Sequence, residues 1–200
     1  MGVHEGYREG RTITERDCLL DSKIVRYGRG KLDATYAYDG ANTDYEYELR
    51  PGTPLGRITA SGLWRACART KTTTTGTVTS VVVTDARAFK VGDVITIGGD
   101  TGITISAINY STNTLTIAST TVASGDAVFC EDGSATCRGI LNENINLKDE
   151  DGVARDKSFS QMVILGYVDP NQILGDLAAI RAASGMYLNF IQWADYQGQQ

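Results

Sequence analysis

Along most of the chain, apolar and polar positions alternate with the two-residue period of a strand, and a helical period replaces it only near the end. From Leu32 to Leu49 the stretches "DATYAYDG" and "TDYEYELR" alternate about the turn material Asp39-Gly40-Ala41-Asn42, which predicts a tyrosine-rich hairpin. "RPGTPLG" follows. Each proline fixes its own φ and pushes the residue before it towards extended geometry, while Gly52 and Gly56 permit sharp turns. A rigid corner is expected there, leading into the alternation that begins at Ile58. Beyond the polar joint "KTTTTG" come "TVTSVVVTD", "FKVGDVITIGG", "GITISAINYS", "NTLTIASTTV" and "GDAVFCED", rich in Val, Ile and Thr and punctuated by turn residues. Residues 76–131 therefore predict a self-contained small antiparallel barrel or sandwich, with "STN" after Tyr110 marking a hairpin. "SFSQMVILGYV" predicts the most apolar strand. In "DPNQILGDLAAIRAASG", Asp169 can cap a helix, Pro170 suits its first position, and Ile173, Leu174, Leu177, Ala178, Ile180 and Arg181 form its stripe before Gly185. The fold class expected is mainly β with one short C-terminal helix packed on a sheet. A last apolar segment, "MYLNFIQWADYQ", either joins the core or covers a subunit interface through Trp193 and Tyr196.

Composition narrows the partners. With 200 residues and 42% hydrophobic content, the chain can build one full domain or two small ones. Its net charge of -5, unrelieved by any Lys/Arg run, argues against a nucleic-acid partner. The N-terminus lacks the apolar core of a signal peptide and no stretch is long and apolar enough for a membrane helix, so a soluble chain made in the cytoplasm, with no membrane partner, is expected. Residues 1–30 are polar apart from Cys18-Leu19-Leu20 and read as an extended arm whose order depends on a partner. Six of the ten tyrosines precede residue 48, which suits either a wet interface or a twisted ribbon.

Candidate chemistry is thin. Cys18, Cys67, Cys130 and Cys137 are too dispersed for a zinc ribbon; only Cys130 and Cys137 are near neighbours, and in a cytoplasmic product they read as ordinary thiols before a disulfide or half a metal site. The only histidine is His4, so no histidine-dependent triad has a positioned base. "LKDEDGVARDK" lacks the closing glutamate of a calcium loop and reads as a solvated turn. "GRG" at 28–30 and "GGDTG" at 98–102 do not sit between a strand and a helix, as a phosphate cradle requires. "VGDVITI" also occurs in self-splicing Hint domains, but this module contains no histidine to do that chemistry. No catalytic residue, metal or cofactor is expected, and the chain does not read as an enzyme.

"RPGTPLGRITASGLW", "CRGILNENINL" and "KSFSQMVILGYVDPNQI" followed by a helix together resemble the phage lambda-type head decoration (capsid cement) proteins. The likeness covers roughly residues 49–70 and 137–190 and makes residues 76–131 an inserted β module. It implies a β-tulip-like core formed from 49–75 and 132–200, preceded by an arm and tyrosine-rich hairpin over 1–48. It further implies a homotrimer on the threefold positions of an expanded capsid, cementing neighbouring major capsid proteins on the virion exterior after assembly in the host cytoplasm. On that reading Cys18, Leu19, Leu20, Ile24, Val25, Tyr27, Tyr36 and Tyr38 would meet the capsid, and Pro51, Pro54, Leu55, Ile140, Leu141 and Trp193 would serve the core or trimer contact. Two other roles stay open: a displayed carbohydrate- or cell-surface-binding module using Phe89, Tyr110 and Phe129, and a tail or baseplate adaptor.

Overall fold

A computed structural model of the chain places Leu19, residues 25–183 and residues 187–190. In chain order the strands are β1 (Arg26–Leu32), β2 (Glu48–Leu49), β3 (Pro54–Arg57), β4 (Trp64–Ala66), β5 (Arg69–Lys71), β6 (Gly76–Val82), β7 (Val94–Ile97), β8 (Asp100–Thr104), β9 (Ala107–Asn109), β10 (Thr114–Val122), β11 (Ala127–Cys130), β12 (Cys137–Leu141), β13 (Ile145–Asn146), β14 (Lys157–Val168) and β15 (Tyr187–Phe190). The fold is mainly β, and α1 (Leu177–Ala182) is the single short α-helix among the described residues, near their C-terminal end.

Five strands close a small barrel. The order β1-β4-β3-β12-β14 returns on itself because β1 also pairs antiparallel with β14, from Arg26 opposite Leu165 to Leu32 opposite Lys157. β15 extends this sheet parallel to β14. Residues 26–30, expected in the arm, are thus a stave of the barrel. Their few apolar side chains hid this, because Gly28 and Gly30 contribute close approach rather than area. A Cβ on Gly30 would lie 2.6 Å from the Trp64 ring nitrogen and 2.7 Å from the Phe159 ring. Along β12 and β14 successive residues feed opposite faces, as the pleat requires. Leu141 and Met162 join Leu32, Leu49, Leu55 and Phe159 in one cluster, whereas Ile140 and Val163 join Cys67, Cys137, Ile173 and Ile180 in another, beneath α1.

The proline corner forms, but the strand it launches starts earlier than expected, at Pro54 instead of Ile58. Ile58 opens a tight turn back into β4, with the Ile58 amide donating to Leu63 and that of Gly62 to Ile58. Both corner glycines are dictated by contact. Gly52 has φ of 89°, and a Cβ there would meet the Gln172 carbonyl at 2.0 Å; at Gly56 it would meet the Ser134 carbonyl at 1.7 Å.

The predicted tyrosine hairpin does not form. Between β1 and β2 the chain runs in turns, because Asp33 accepts hydrogen bonds from the amides of Thr35 and Tyr36, and Asp39 from that of Ala41. These local bonds replace a strand ladder. β2 pairs with β13 instead. The predicted C-terminal helix is also divided. Asp169 caps only a single 3₁₀ turn, Pro170–Gln172; Gly175, with φ of 100°, breaks the chain, and Asp176 caps the six residues of α1 by accepting from the Ala179 amide.

The segment from β5 to β11 forms two sheets, β6-β10-β9 and β5-β11-β7-β8, around a core that includes Phe89, Ile95, Ile97, Leu115 and Val128. β5 lies before residue 76 yet pairs with β11, and Ala66 and Ala68 pack into the same core. The two ends of the sandwich leave the barrel side by side, with the Cys130 amide donating to the Ala68 carbonyl at 3.0 Å.

Candidate functional site

The densest polar chemistry lies where the sandwich meets the barrel. Arg65 is on β4 of the barrel with its side chain fully buried. Its two terminal nitrogens donate to both carboxylate oxygens of Asp93 at 2.9 and 2.7 Å, to Asp132 at 3.2 Å and to the Ala88 carbonyl at 2.7 Å. Burial alone would lower the Arg65 pKa, but the hydrogen bonds to Asp93 and the surrounding negative charge outweigh it and raise the value. The guanidinium therefore keeps its charge at the junction. Asp93 is held for this task by the turn before β7, where it also accepts from the Lys90 amide at 2.8 Å.

A second fastening uses aromatic rings and lysines. Lys90 donates to the Thr35 carbonyl at 2.6 Å, and its ammonium lies 5.6 Å from the Tyr38 ring centre and 5.4 Å from that of Tyr47. Tyr38 meets Tyr47 edge-on at 5.5 Å and Tyr110 at 5.9 Å, and Tyr110 donates to the Phe89 carbonyl at 2.9 Å. Gly40 admits the Tyr110 ring, since a Cβ there would lie 2.1 Å from it. Burial is the main cause raising the phenol pKa of both Tyr38 and Tyr110. Tyr110 belongs to the sandwich and the other two rings to the turn segment, so the cluster clamps one to the other.

Between these fastenings and α1 runs a narrow cleft lined by Asp39, Pro54, Cys67, Arg69, Asp85, Arg87 and Asp176 among others, with a cavity of about 10 Å3. Its charges are engaged with neighbours. Arg87 pairs with Asp85 at 2.9 Å, Arg50 with Asp39 at 2.8 Å, and Thr84 donates to Asp176. Cys67, buried at its edge, donates to the Ala135 carbonyl at 3.5 Å, and the neighbouring Cys137 thiol together with burial pushes the Cys67 thiol pKa well up. Cys130, the expected neighbour of Cys137, packs in the sandwich core instead, so the two thiols belong to different clusters.

Of the residues singled out for a capsid contact, Cys18, Leu20 and Ile24 lie outside the described residues, as does Trp193. Leu19 bridges Val168, and both it and Val25 pack against the cluster beneath α1. Tyr27 and Tyr36 are the exposed members, at 42% and 41%. Tyr36 also presents its ring to the Arg65 guanidinium at 5.5 Å. Tyr38 belongs to the clamp. Pro51 is half-buried in the corner, whereas Pro54, Leu55, Ile140 and Leu141 are buried in neighbouring barrel strands. The module aromatics are also occupied. Phe89 is fully buried, Tyr110 donates to its carbonyl, and Arg69 lies over the Phe129 ring at 5.0 Å. Arg65 and Lys90 escaped the sequence reading because a lone basic residue in a strand or turn carries no motif.

The acidic run forms the local turn expected of it, with Asp149 accepting from the Val153 amide and paired with Arg155. Among the described residues no group of three or more His, Cys, Asp or Glu could hold a metal ion, and no helix is long and apolar enough to cross a membrane. No family model and no curated protein matches the chain.

Proposed function

We propose that the chain is a structural virion protein that binds the outside of an expanded phage capsid as a trimer at threefold positions and cements neighbouring major capsid subunits. One observation carries this reading. The three phrases that resemble the head decoration proteins are far apart in sequence, yet they fold into consecutive staves of one barrel: "RPGTPLGRITASGLW" spans β3 and reaches β4, "CRGILNENINL" supplies β12, and "KSFSQMVILGYVDPNQI" supplies β14. The adjacent ends of the sandwich fit an insertion that leaves this barrel whole, which suits a cementing core that displays a module outward.

The test is direct. Light scattering at micromolar concentration is expected to give three times the chain mass, and the protein is expected to co-sediment with expanded shells of the phage that encodes it. A stable monomer that ignores those shells overturns the reading. Because β1 is part of the barrel, the tether test stops before Leu19: a chain lacking residues 1–18 is expected to remain trimeric and to lose shell addition.

A further inference from the structure

β1 reads "RYGRGKL", with three cations and no acid in a chain whose net charge is -5. Its pleat turns Gly28, Gly30 and Leu32 towards the barrel interior, which leaves Tyr27, Arg29 and Lys31 facing out with Arg26 beside them. Lys31 is answered by Asp156 at 3.3 Å, whereas Arg26 and Arg29 have no ion pair among the described residues. Two exposed apolar side chains stand with them, Tyr27 on β1 and Leu165, 37% exposed, opposite Arg26 on β14. An aromatic and aliphatic centre rimmed by arginine is the composition of a protein interface.

The chain also carries the opposite patch. In the turn between β13 and β14, Asp149 accepts from the Val153 amide and Gly152 adopts a φ of 77°, so residues 150–153 project into solvent. Arg155 neutralises Asp149, but Glu150 and Asp151 face no cation among the described residues. Val153, 50% exposed, stands beside them. Two unanswered arginines around one apolar centre therefore match two unanswered carboxylates beside another.

We infer that the partner of the β1 patch is a second copy of this chain: Arg26 and Arg29 of one protomer meet Glu150 and Asp151 of the next, while Val153 packs against Tyr27 and Leu165. The two patches differ, so the contact runs head to tail, and three such contacts close a ring. Pairing of either patch with itself would set like charges face to face. This inference rests on the trimeric reading above and supplies its contact, assigning Tyr27 to the trimer instead of the shell.

The experiment follows the mass of the full-length protein by light scattering and sedimentation through a dilution series, in low and high salt. The unaltered chain is expected to be a trimer whose dissociation midpoint rises at least about tenfold as sodium chloride increases from about 0.05 to 0.5 M, because salt screens the four charges. Arg26→Glu with Arg29→Glu, and separately Glu150→Arg with Asp151→Arg, are each expected to raise the midpoint at least about tenfold by opposing like charges. The chain with all four changes restores complementarity and is expected to return to within about threefold of the unaltered chain. All four positions are exposed, and far-ultraviolet circular dichroism checks that each variant is folded. A trimer that ignores salt or either reversal, or a fourfold variant no better than the twofold ones, would overturn this contact and leave the capsid reading standing. An unaltered chain that is a monomer or a dimer would overturn both.

Discussion

Replacing Arg65 with methionine keeps most of the side-chain volume and removes the charge that answers Asp93. Asp93 is 5% exposed, and its carboxylate faces the Arg65 fork through two bonds and the Lys90 amide through a third. Without Arg65 only the amide bond remains, and the carboxylate must stay charged in a dry junction or take up a proton. Breaking a buried pair from one side costs about 3–5 kcal/mol, a large fraction of the 5–15 kcal/mol that holds a domain folded. Asp93→Asn is milder, about 1–3 kcal/mol, because Arg65 keeps Asp132 and the Ala88 carbonyl. In the double variant there is no stranded carboxylate, so its cost should fall short of the two single costs combined by about 2 kcal/mol. Urea unfolding in a Trp193→Phe background, followed by Trp64 fluorescence and far-ultraviolet circular dichroism, measures all four proteins. Arg65 joins β4 to residues of the sandwich, so in Arg65→Met the two probes are also expected to separate into two transitions. A cost below about 1 kcal/mol, or strictly additive single effects, would refute the view that this ion pair couples barrel and sandwich.

Deleting residues 1–31 removes nearly all of β1 and opens the barrel; loss of a cooperative thermal transition by calorimetry is expected, and an unchanged melting temperature would contradict the closed ring. Gly56→Ala drives a methyl group into the Ser134 carbonyl and is expected to cost about 3 kcal/mol or more in urea unfolding, whereas the same change at Gly92, which has open space around it, costs only its backbone strain of about 1 kcal/mol. The amide of Ala34, assisted by Lys31, lowers the Asp156 pKa from 3.8. The carboxylate therefore stabilises the fold above that value and loses its contribution as pH falls through the lower folded value, so Asp156→Asn should flatten the acid limb of stability against pH measured by thermal melts. Burial raises the phenols of Tyr38 and Tyr110, so their contribution is full below pH 10.0 and lost as pH rises through the folded values. Tyr110→Phe should weaken the alkaline loss of stability, read from melting temperature between neutral pH and roughly pH 11.

What the sequence determines by itself is local. Val, Ile and Thr alternation with glycine turns specified the strands of the sandwich, the apolar run in "SFSQMVILGYV" specified β14, and Pro51 and Pro54 specified a corner, because period and restricted φ act within a few residues. Local chemistry also misled where two signals competed. Asp33 and Asp39 turned a strand-like tyrosine alternation into loops, and the second cap at Asp176 cut short a continuous helical stripe. Tertiary structure alone decided the closure of the barrel by Arg26–Leu32, a strand whose glycines look like linker until the Trp64 and Phe159 rings are laid against them. It alone brought Arg65 to Asp93 and gathered Cys67 and Cys137 into one apolar cluster. Those partners are distant in sequence, and no periodicity records a contact that exists only once separate strands have paired with a common neighbour.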